Sequence, residues 1–185
     1  METFLPKKGN YRALLSYQKA ECLYDITFYF VNKYLAKGDR TIDQMLQAAR
    51  SGKQNIAEGS AASATSSETE LKLMNVARAS FQELLTDYED YLRVRGLEQW
   101  TAEDFRSIKT RQVSIKHNDS EFYRKAIKER SDATIANIDI TLLHQEDYML
   151  RKLIDRLQDD FVRNGGIREQ MYNARINYRN KNKSE

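Results

Sequence analysis

The chain contains few residues that break a helix, with one proline, Pro6, and seven glycines among 185 residues. This scarcity favours long helices over a strand-rich fold. The single cysteine, Cys22, excludes an internal disulfide and fits a reducing compartment. No run approaches the roughly 20 apolar residues of a membrane-spanning helix, and residues 1–10 lack the apolar core of a secretory signal. We therefore expect a cytoplasmic, helical protein.

The motifs of common catalytic and metal sites are also missing. His117 and His144 belong to no His-x-x-x-His or Glu-x-x-His pattern, and a lone cysteine forms no Cys-x-x-Cys pair. Walker A, Gly-x-Gly-x-x-Gly and Gly-x-Ser-x-Gly sequences do not occur. We predict no enzymatic activity, no cofactor and no metal site. We interpret His144 as a hydrogen-bonded histidine at a helix interface and Cys22 as a small core residue.

Apolar residues recur at helical spacing along most of the chain. The pattern predicts helices over residues 11–36, 41–58, 68–95 and from 101 or 104 onward, the last with Phe105 and Ile108 on one face. A long helix follows, beginning at Ser120 or Ser131 and ending at Gly165-Gly166, and a short one covers 167–179. Predicted caps and stops are Thr41, Ser67, Gly38, Gly59 and Gly96.

These elements predict an all-α fold. Residues 11–162 would form an up-and-down antiparallel four-helix bundle, preceded by a tail at 1–10 and followed by a basic helical extension at 163–185. The first helix has an apolar arc too wide for one face. It is therefore buried on two sides, or it faces both its own bundle and another subunit.

Positive charge is concentrated in two segments. Residues 105–130 hold eight Lys or Arg against three Asp or Glu, and residues 163–185 hold six against two. Such segments attract phosphate backbones, although solvated helical faces look the same in sequence. Tyr172 and Tyr178 among arginines suit base stacking or a protein interface equally. The candidate phosphate contacts are Arg106, Lys109, Arg111, Lys116, Arg124, Lys125, Lys128, Arg168, Arg175 and Arg179.

Three stretches resemble the four-helix-bundle family named for 23S rRNA intervening sequences. The run QMLQAARSGKQNIAEG, residues 44–59, is similar to the family signature through Gln44, Ala48, Ser51 and the element Asn55, Ile56, Ala57, Glu58 and Gly59. The run ARASFQEL, residues 77–84, resembles its small-Ser-x-x-Glu-Leu element through Ser80 and Glu83, with Ala79 where the family usually has Gly. Residues 17–20, YQKA, resemble its aromatic-Gln-Lys-Ala opening. A fourth stretch, FVRNGGIREQMYNAR at 161–175, resembles the "four helix bundle suffix" subgroup.

This resemblance implies a four-helix protomer that assembles into a ring, typically a homopentamer. Relatives include the accessory variability determinant of diversity-generating retroelements, a nucleic-acid-binding partner of a reverse transcriptase. Gly59 is expected to close a helix there, and the run Ser60–Ser67 to form a loop. Asn55 and Glu58 are expected to hydrogen-bond to the first helix near Gln18 or Lys19, or to the start of the third.

Two functions follow from these observations. The first is a non-enzymatic, oligomeric RNA- or DNA-binding accessory protein, with a reverse transcriptase as one partner. The second is a structural or protein-interaction module without intrinsic nucleic-acid binding. Binding that weakens steeply with salt is expected only from the first.

Overall fold

The computed structural model describes residues 9–181, and the residues outside this range include most of the predicted N-terminal tail and the end of the C-terminal extension. A 3₁₀ turn at Tyr11–Ala13 precedes seven helices. These are α1 (Leu15–Tyr34), α2 (Arg40–Ala62), α3 (Ser67–Val94), α4 (Phe105–Lys116), α5 (Ser120–Ala126), α6 (Asp132–Asn164) and α7 (Ile167–Lys181). Residues 9–181 contain no strand, so the all-α class is confirmed. In the same range no helix has the length and apolar character needed to cross a membrane.

Four long helices enclose the hydrophobic core. α1 packs on α2 and α6, and α3 packs on the same two helices. Arg78 of α3 pairs with Asp147 of α6, whereas Tyr91 pairs with Asp132, so these two helices run antiparallel. Burying each large apolar side chain contributes about 1.5–3 kcal/mol. The largest buried apolar side chains in this core are Leu23, Ile26, Phe30, Met45, Ile56, Met74, Phe81, Leu84, Tyr88 and Leu92.

The long helix predicted to end at Gly165-Gly166 begins at the later of its two predicted starts, Ser131. Ser131 caps α6 by accepting a hydrogen bond from the Thr134 amide. Residues 120–126 instead form the separate helix α5, which lies against α1, while α4 lies against α6. Residues 105–130, the α4–α5 segment, are therefore an addition laid on the α1–α6 side of the core.

Two of the predicted helix stops are confirmed, and two predicted caps are wrong by a residue or two. Gly96 and Gly165 lie at the C-terminal ends of α3 and α6 with φ of +63° and +68°, the region that glycine adopts without strain. Gly38, with φ of +91°, lies in the turn before α2, because α1 already ends at Tyr34. The Asp39 carboxylate, not Thr41, caps α2, and Ser66, not Ser67, caps α3. In each case a side-chain oxygen just before the helix accepts the free amide of the first turn.

Gly59 does not end its helix, contrary to the prediction. α2 continues to Ala62, so the expected loop at 60–67 shrinks to residues 63–66. A Cβ on Gly59 would lie 3.0 Å from Met74 Cε and 3.3 Å from Leu73 Cβ of α3. The glycine is needed because the two helices approach closely, not because the chain turns.

The predicted cross-helix contacts of Asn55 and Glu58 are also wrong. Asn55 donates to the Ser51 carbonyl and hydroxyl one turn earlier in α2, and Glu58 accepts from Gln54. The hydroxyls of Ser51 and Ser80, 2.9 Å apart, make the bond between α2 and α3. Ile56 is fully buried as expected, while Ala57 is half-buried and Glu83 is exposed.

Candidate nucleic-acid interface

The α4–α5 segment is fastened to the bundle by one buried lysine. Lys19 of α1 is 2% exposed, and its ammonium donates to the Ser114 carbonyl and hydroxyl at 2.9 and 2.8 Å. It also donates to the His117 carbonyl at 3.0 Å. Burial lowers the pKa of this ammonium. Lys19 therefore holds the turn between α4 and α5, where the end of α4 leaves carbonyls without helical partners.

The far end of the segment is tied to α1 by three hydrogen bonds. The Tyr29 hydroxyl and the Lys33 ammonium donate to the Lys128 carbonyl at 2.8 and 3.1 Å. The Tyr34 hydroxyl donates to the Arg130 carbonyl at 2.6 Å. With its central turn and its far end held, the α4–α5 segment presents its basic side chains from a fixed backbone.

A groove with a positive lining lies between α1 and α5, and we name it the cationic groove. It has a volume of about 590 Å³ and is lined by Asp25, Phe28, Tyr29, Asn32, Lys33, Arg124 and Lys128. The acidic residue of this lining, Asp25, accepts from Ser120 and lies 3.6 Å from Arg124. Phe28 leaves 53% of its surface exposed beside the cations. Cations beside an exposed ring suit contact with phosphates and stacking on a base.

A second concavity, the aromatic pocket, lies on the other side of α5. Its volume is about 430 Å³, and Trp100, Phe105, Phe122, Arg106, Lys109 and Arg130 line its walls and rim, over a floor that includes Val113, Ile127 and Ile138. Phe105 is 74% exposed. The predicted pairing of Phe105 with Ile108 on one apolar face therefore does not make a buried face.

Arg106, a predicted phosphate contact, is bonded to two carboxylates of the protein. Its guanidinium donates to both carboxylate oxygens of Glu98 and of Asp104, at 2.6–3.2 Å. These bonds lower the pKa of both carboxyl groups and raise the pKa of Arg106. The guanidinium also lies 4.8 Å from the centre of the Trp100 ring. Because two carboxylates neutralise it, Arg106 shapes the pocket wall and adds little net charge for phosphate.

The other predicted phosphate contacts of this segment are either free of ion pairs or bonded to groups of the protein. Within residues 9–180, Lys109, Lys116 and Lys128 are exposed and make no ion pair. Lys125 pairs with Glu121 at 2.7 Å, and Arg111 donates to the Ala102 carbonyl. Exposed ion pairs of this kind are weak and exchange readily with other partners. The positive field of the segment is therefore strongest at the three unpaired lysines.

The C-terminal candidates lie elsewhere. Arg168, Arg175 and Arg179 are exposed on α7, together with Tyr172 and Tyr178. No side chain of α7 that the structure describes is buried. The start of α7 lies beside the turn between α2 and α3, where Thr65–Glu68 share a cleft with Phe161 and residues 166–169. The two basic segments therefore have different neighbours in the fold.

The two histidines have different surroundings. His144 is exposed and lines the groove where α1, α4 and α6 meet, and its role as a hydrogen-bonded interface histidine stays a prediction. The His117 ring stacks on Phe122 with centres 3.8 Å apart. Cys22 is fully buried, as expected, and burial raises the pKa of its thiol to about 12. Among residues 9–181, His, Cys, Asp and Glu form no group of three or more that could hold a metal ion.

Two carboxyl groups lie in the core beside the α4–α5 segment, and the sequence pattern did not identify them. Asp139 and Glu146 of α6 are fully buried. The Asp139 carboxylate accepts from Thr27 at 3.2 Å, and Tyr88 donates to the same threonine. Burial raises the pKa of Asp139 to about 8 and that of Glu146 well above its usual range. Both Glu146 oxygens lack a hydrogen-bond partner among the described residues, so burial there opposes ionisation of this side chain.

Sequence reasoning found the cations of this surface but missed its aromatic part. Phe28 and Lys33 lie within the first predicted helix and Trp100 between two predicted helices, and none of the three was predicted as a site residue. Contacts between distant segments bring them to the candidate interface. An exposed aromatic residue beside unpaired lysines is a signal that requires the fold to be seen. Comparison of the chain with protein-family models, with curated proteins and with solved structures found no match.

Proposed function

We propose that this protein is a non-enzymatic, nucleic-acid-binding accessory protein whose principal interface is the α4–α5 segment. The observation that carries the proposal is the cationic groove, which Lys33, Arg124 and Lys128 line together with the exposed side chain of Phe28. Phosphates would be bound by the lysines and arginine, and an unstacked base would lie on the ring. Lys109 and Lys116 extend the positive field along α4.

The assembly that we propose follows the family resemblance. Helices α1, α2, α3 and α6 each pack on two of the others, which supports an up-and-down antiparallel four-helix bundle as the protomer. We propose that such protomers form a ring, as a homopentamer, in which each subunit presents the same basic segment. Repetition around the ring would raise the local field above that of a single chain of net charge +3. A reverse transcriptase is the partner that the resemblance favours.

Titration of the protein into a fluorescent, structured RNA tests this function. We expect saturable binding at low salt, with an affinity that falls linearly on a logarithmic scale as salt rises, because bound lysines displace counterions. The measurement is fluorescence anisotropy between about 20 and 200 mM salt. Absence of binding at the lowest salt would remove the proposal.

The alternative, a structural or protein-interaction module, has an observation of its own. An apolar groove of about 510 Å³ lies where α1, α4 and α6 meet. Leu15, Ile115 and Tyr148 in its lining are 57%, 75% and 56% exposed. Exposed apolar patches of this kind are typical of protein interfaces. This reading predicts a stable oligomer or complex together with negligible affinity for nucleic acid.

Replacing Ile115 by Ser separates the two functions. If the apolar groove serves subunit contact, the variant is expected to lose mass in light scattering while the protomer keeps its thermal unfolding temperature. If RNA affinity is unchanged per protomer, binding belongs to the basic segment and assembly to the groove. If the variant keeps both its oligomeric mass and its RNA affinity, the apolar groove serves neither assembly nor RNA binding.

A further inference from the structure

The aromatic pocket between α4 and α5 has three aromatic side chains and an aliphatic floor, which phosphate binding alone does not explain. Its walls carry Trp100, Phe105 and Phe122, and its floor includes Val113, Ile127 and Ile138. A phosphate gains nothing from such a lining, whereas a flat ring with polar edges buries both faces there. The volume of about 430 Å³ lies within the range of pockets that hold small organic ligands.

Resting on the proposed function, we propose that the aromatic pocket receives one unpaired base of a nucleic-acid strand. Phe105 stands at its mouth with 74% of its surface in water, an unfavourable position that a stacked base would relieve. Lys109 and Arg130 lie at the rim, where the phosphate attached to that base would lie. The pocket therefore offers aromatic rings for the base and, at its rim, cations for the adjoining phosphate.

Arg106 gives the pocket a rigid wall. Glu98 and Asp104 fix its guanidinium through the bonds described above, and the group lies over the Trp100 ring at 4.8 Å. A guanidinium plane held on an aromatic ring is a flat surface that stays in place before a ligand arrives. Because these side chains are already held in place, binding a planar group costs little conformational entropy in the pocket wall.

The position of the pocket relative to the cationic groove indicates how a strand would lie. Helix α5 separates the two, with Phe122 facing the pocket and Arg124 and Lys128 facing the groove. A single strand could place its backbone on the groove and turn one base over α5 into the pocket. A base within a duplex is stacked and paired, so it cannot enter, and the pocket therefore selects unpaired strands.

Trp100 is the sole tryptophan of the chain and lines the pocket, so its fluorescence reports occupation directly. The probes are a 12-nucleotide single-stranded RNA and the duplex of the same sequence, each titrated at low salt into the full chain. We expect the single strand to change Trp100 emission and the duplex to leave it unchanged. Phe105→Ala should weaken single-strand binding about tenfold and leave duplex binding unchanged, since stacking acts only on the free base.

Val94→Ala is the control. Val94 is 64% exposed at the end of α3 and lines neither the aromatic pocket, the cationic groove nor the apolar groove. It should leave both affinities unaltered.

Each other outcome overturns the proposal in a distinguishable way. Equal affinities for single strand and duplex, unaffected by Phe105→Ala, would reject the base pocket and leave the proposed function intact. Failure of both RNAs to bind would reject the proposed function together with the pocket. Quenching of Trp100 by adenosine monophosphate that single-stranded RNA does not compete away would assign the pocket to a free nucleotide instead of a strand.

Discussion

The α4–α5 segment and the C-terminal extension at 163–185, which contains α7, carry similar excesses of positive charge, +5 and +4, but they have different contacts with the rest of the protein. Lys19, Tyr29 and Tyr34 tie the α4–α5 segment to α1 through its backbone carbonyls. In α7, by contrast, no described side chain is buried. A fixed array of cations binds a phosphate backbone without first being ordered, whereas cations on an unsupported helix lose freedom on binding. Two segments of similar charge can therefore differ in how much they contribute to nucleic-acid binding.

Releasing the α4–α5 segment from the bundle should have the largest effect on this comparison. Lys19→Met keeps the size of the side chain but leaves the Ser114 and His117 carbonyls without their donor. Leaving buried acceptors unsatisfied costs about 1–3 kcal/mol each, so we expect a loss of about 3 kcal/mol in the free energy of unfolding. Chemical denaturation measures it, and RNA affinity should fall as well. Lys72→Met, on the exposed face of α3, is the control and should change neither.

The buried acids beside the segment predict a pH effect of similar size. Burial raises the pKa of Asp139 from 3.8 to about 8, so the folded chain keeps a proton that the unfolded chain has released. Its contribution to stability is therefore full below about pH 4, falls as pH rises, and levels off above pH 8. Between these two pH values the slope is about 1.4 kcal/mol per pH unit.

Asp139→Asn isolates that contribution, since the amide carries no proton to lose. The variant should match the parent protein near pH 4 and become progressively more stable than it up to pH 8, in denaturation curves taken at each pH. Parallel curves for the two proteins across this range would contradict the assignment of a buried, protonated Asp139.

Removing charge from the α4–α5 segment should weaken nucleic-acid binding without affecting the fold. Lys109 and Lys128 are exposed, unpaired among the described residues, and placed at the pocket and the groove. The double change to Gln should lower RNA affinity on the order of tenfold and reduce the salt dependence by nearly two counterions. Anisotropy titrations over a salt series measure both quantities.

Removing the same charge from α7 should have the smallest effect. Arg175→Gln with Arg179→Gln also removes two positive charges, but from a helix without buried contacts. We expect a loss of about two- to threefold in RNA affinity under the same conditions, because these cations contribute mainly a long-range field. If this variant binds less tightly than the Lys109 and Lys128 variant, the roles of the two segments are reversed.

The helical fold was predictable because it depends on the local spacing of apolar residues and on glycines at helix ends. Apolar spacing located each long helix, and Gly96 and Gly165 lie at helix ends with a positive φ. The prediction at Gly59 was wrong because glycine can either end a helix or allow a neighbouring helix to approach closely, and a single sequence does not separate the two. Here it permits close packing against Met74 instead of a turn.

The candidate interface was only partly predictable, since its chemistry depends on contacts across the chain. Charge density located Lys109 and Lys128 but could not show that Arg106 is neutralised by Glu98 and Asp104. Lys19 and Glu146 are charged residue types within helical sequences, and nothing local distinguishes them from solvent-facing ones. Only the tertiary packing of α4 and α6 against α1 places them inside.

Hydrogen–deuterium exchange of the full chain with and without a structured RNA tests the central claim most directly, because it shows which backbone segments the ligand covers. We predict slower amide exchange in residues 105–130 and in residues 24–33 of α1 at saturating RNA, with a smaller change in α7. Protection confined to α7, or no change in residues 105–130 when the RNA is fully bound, would contradict the assignment of the nucleic-acid interface to the α4–α5 segment.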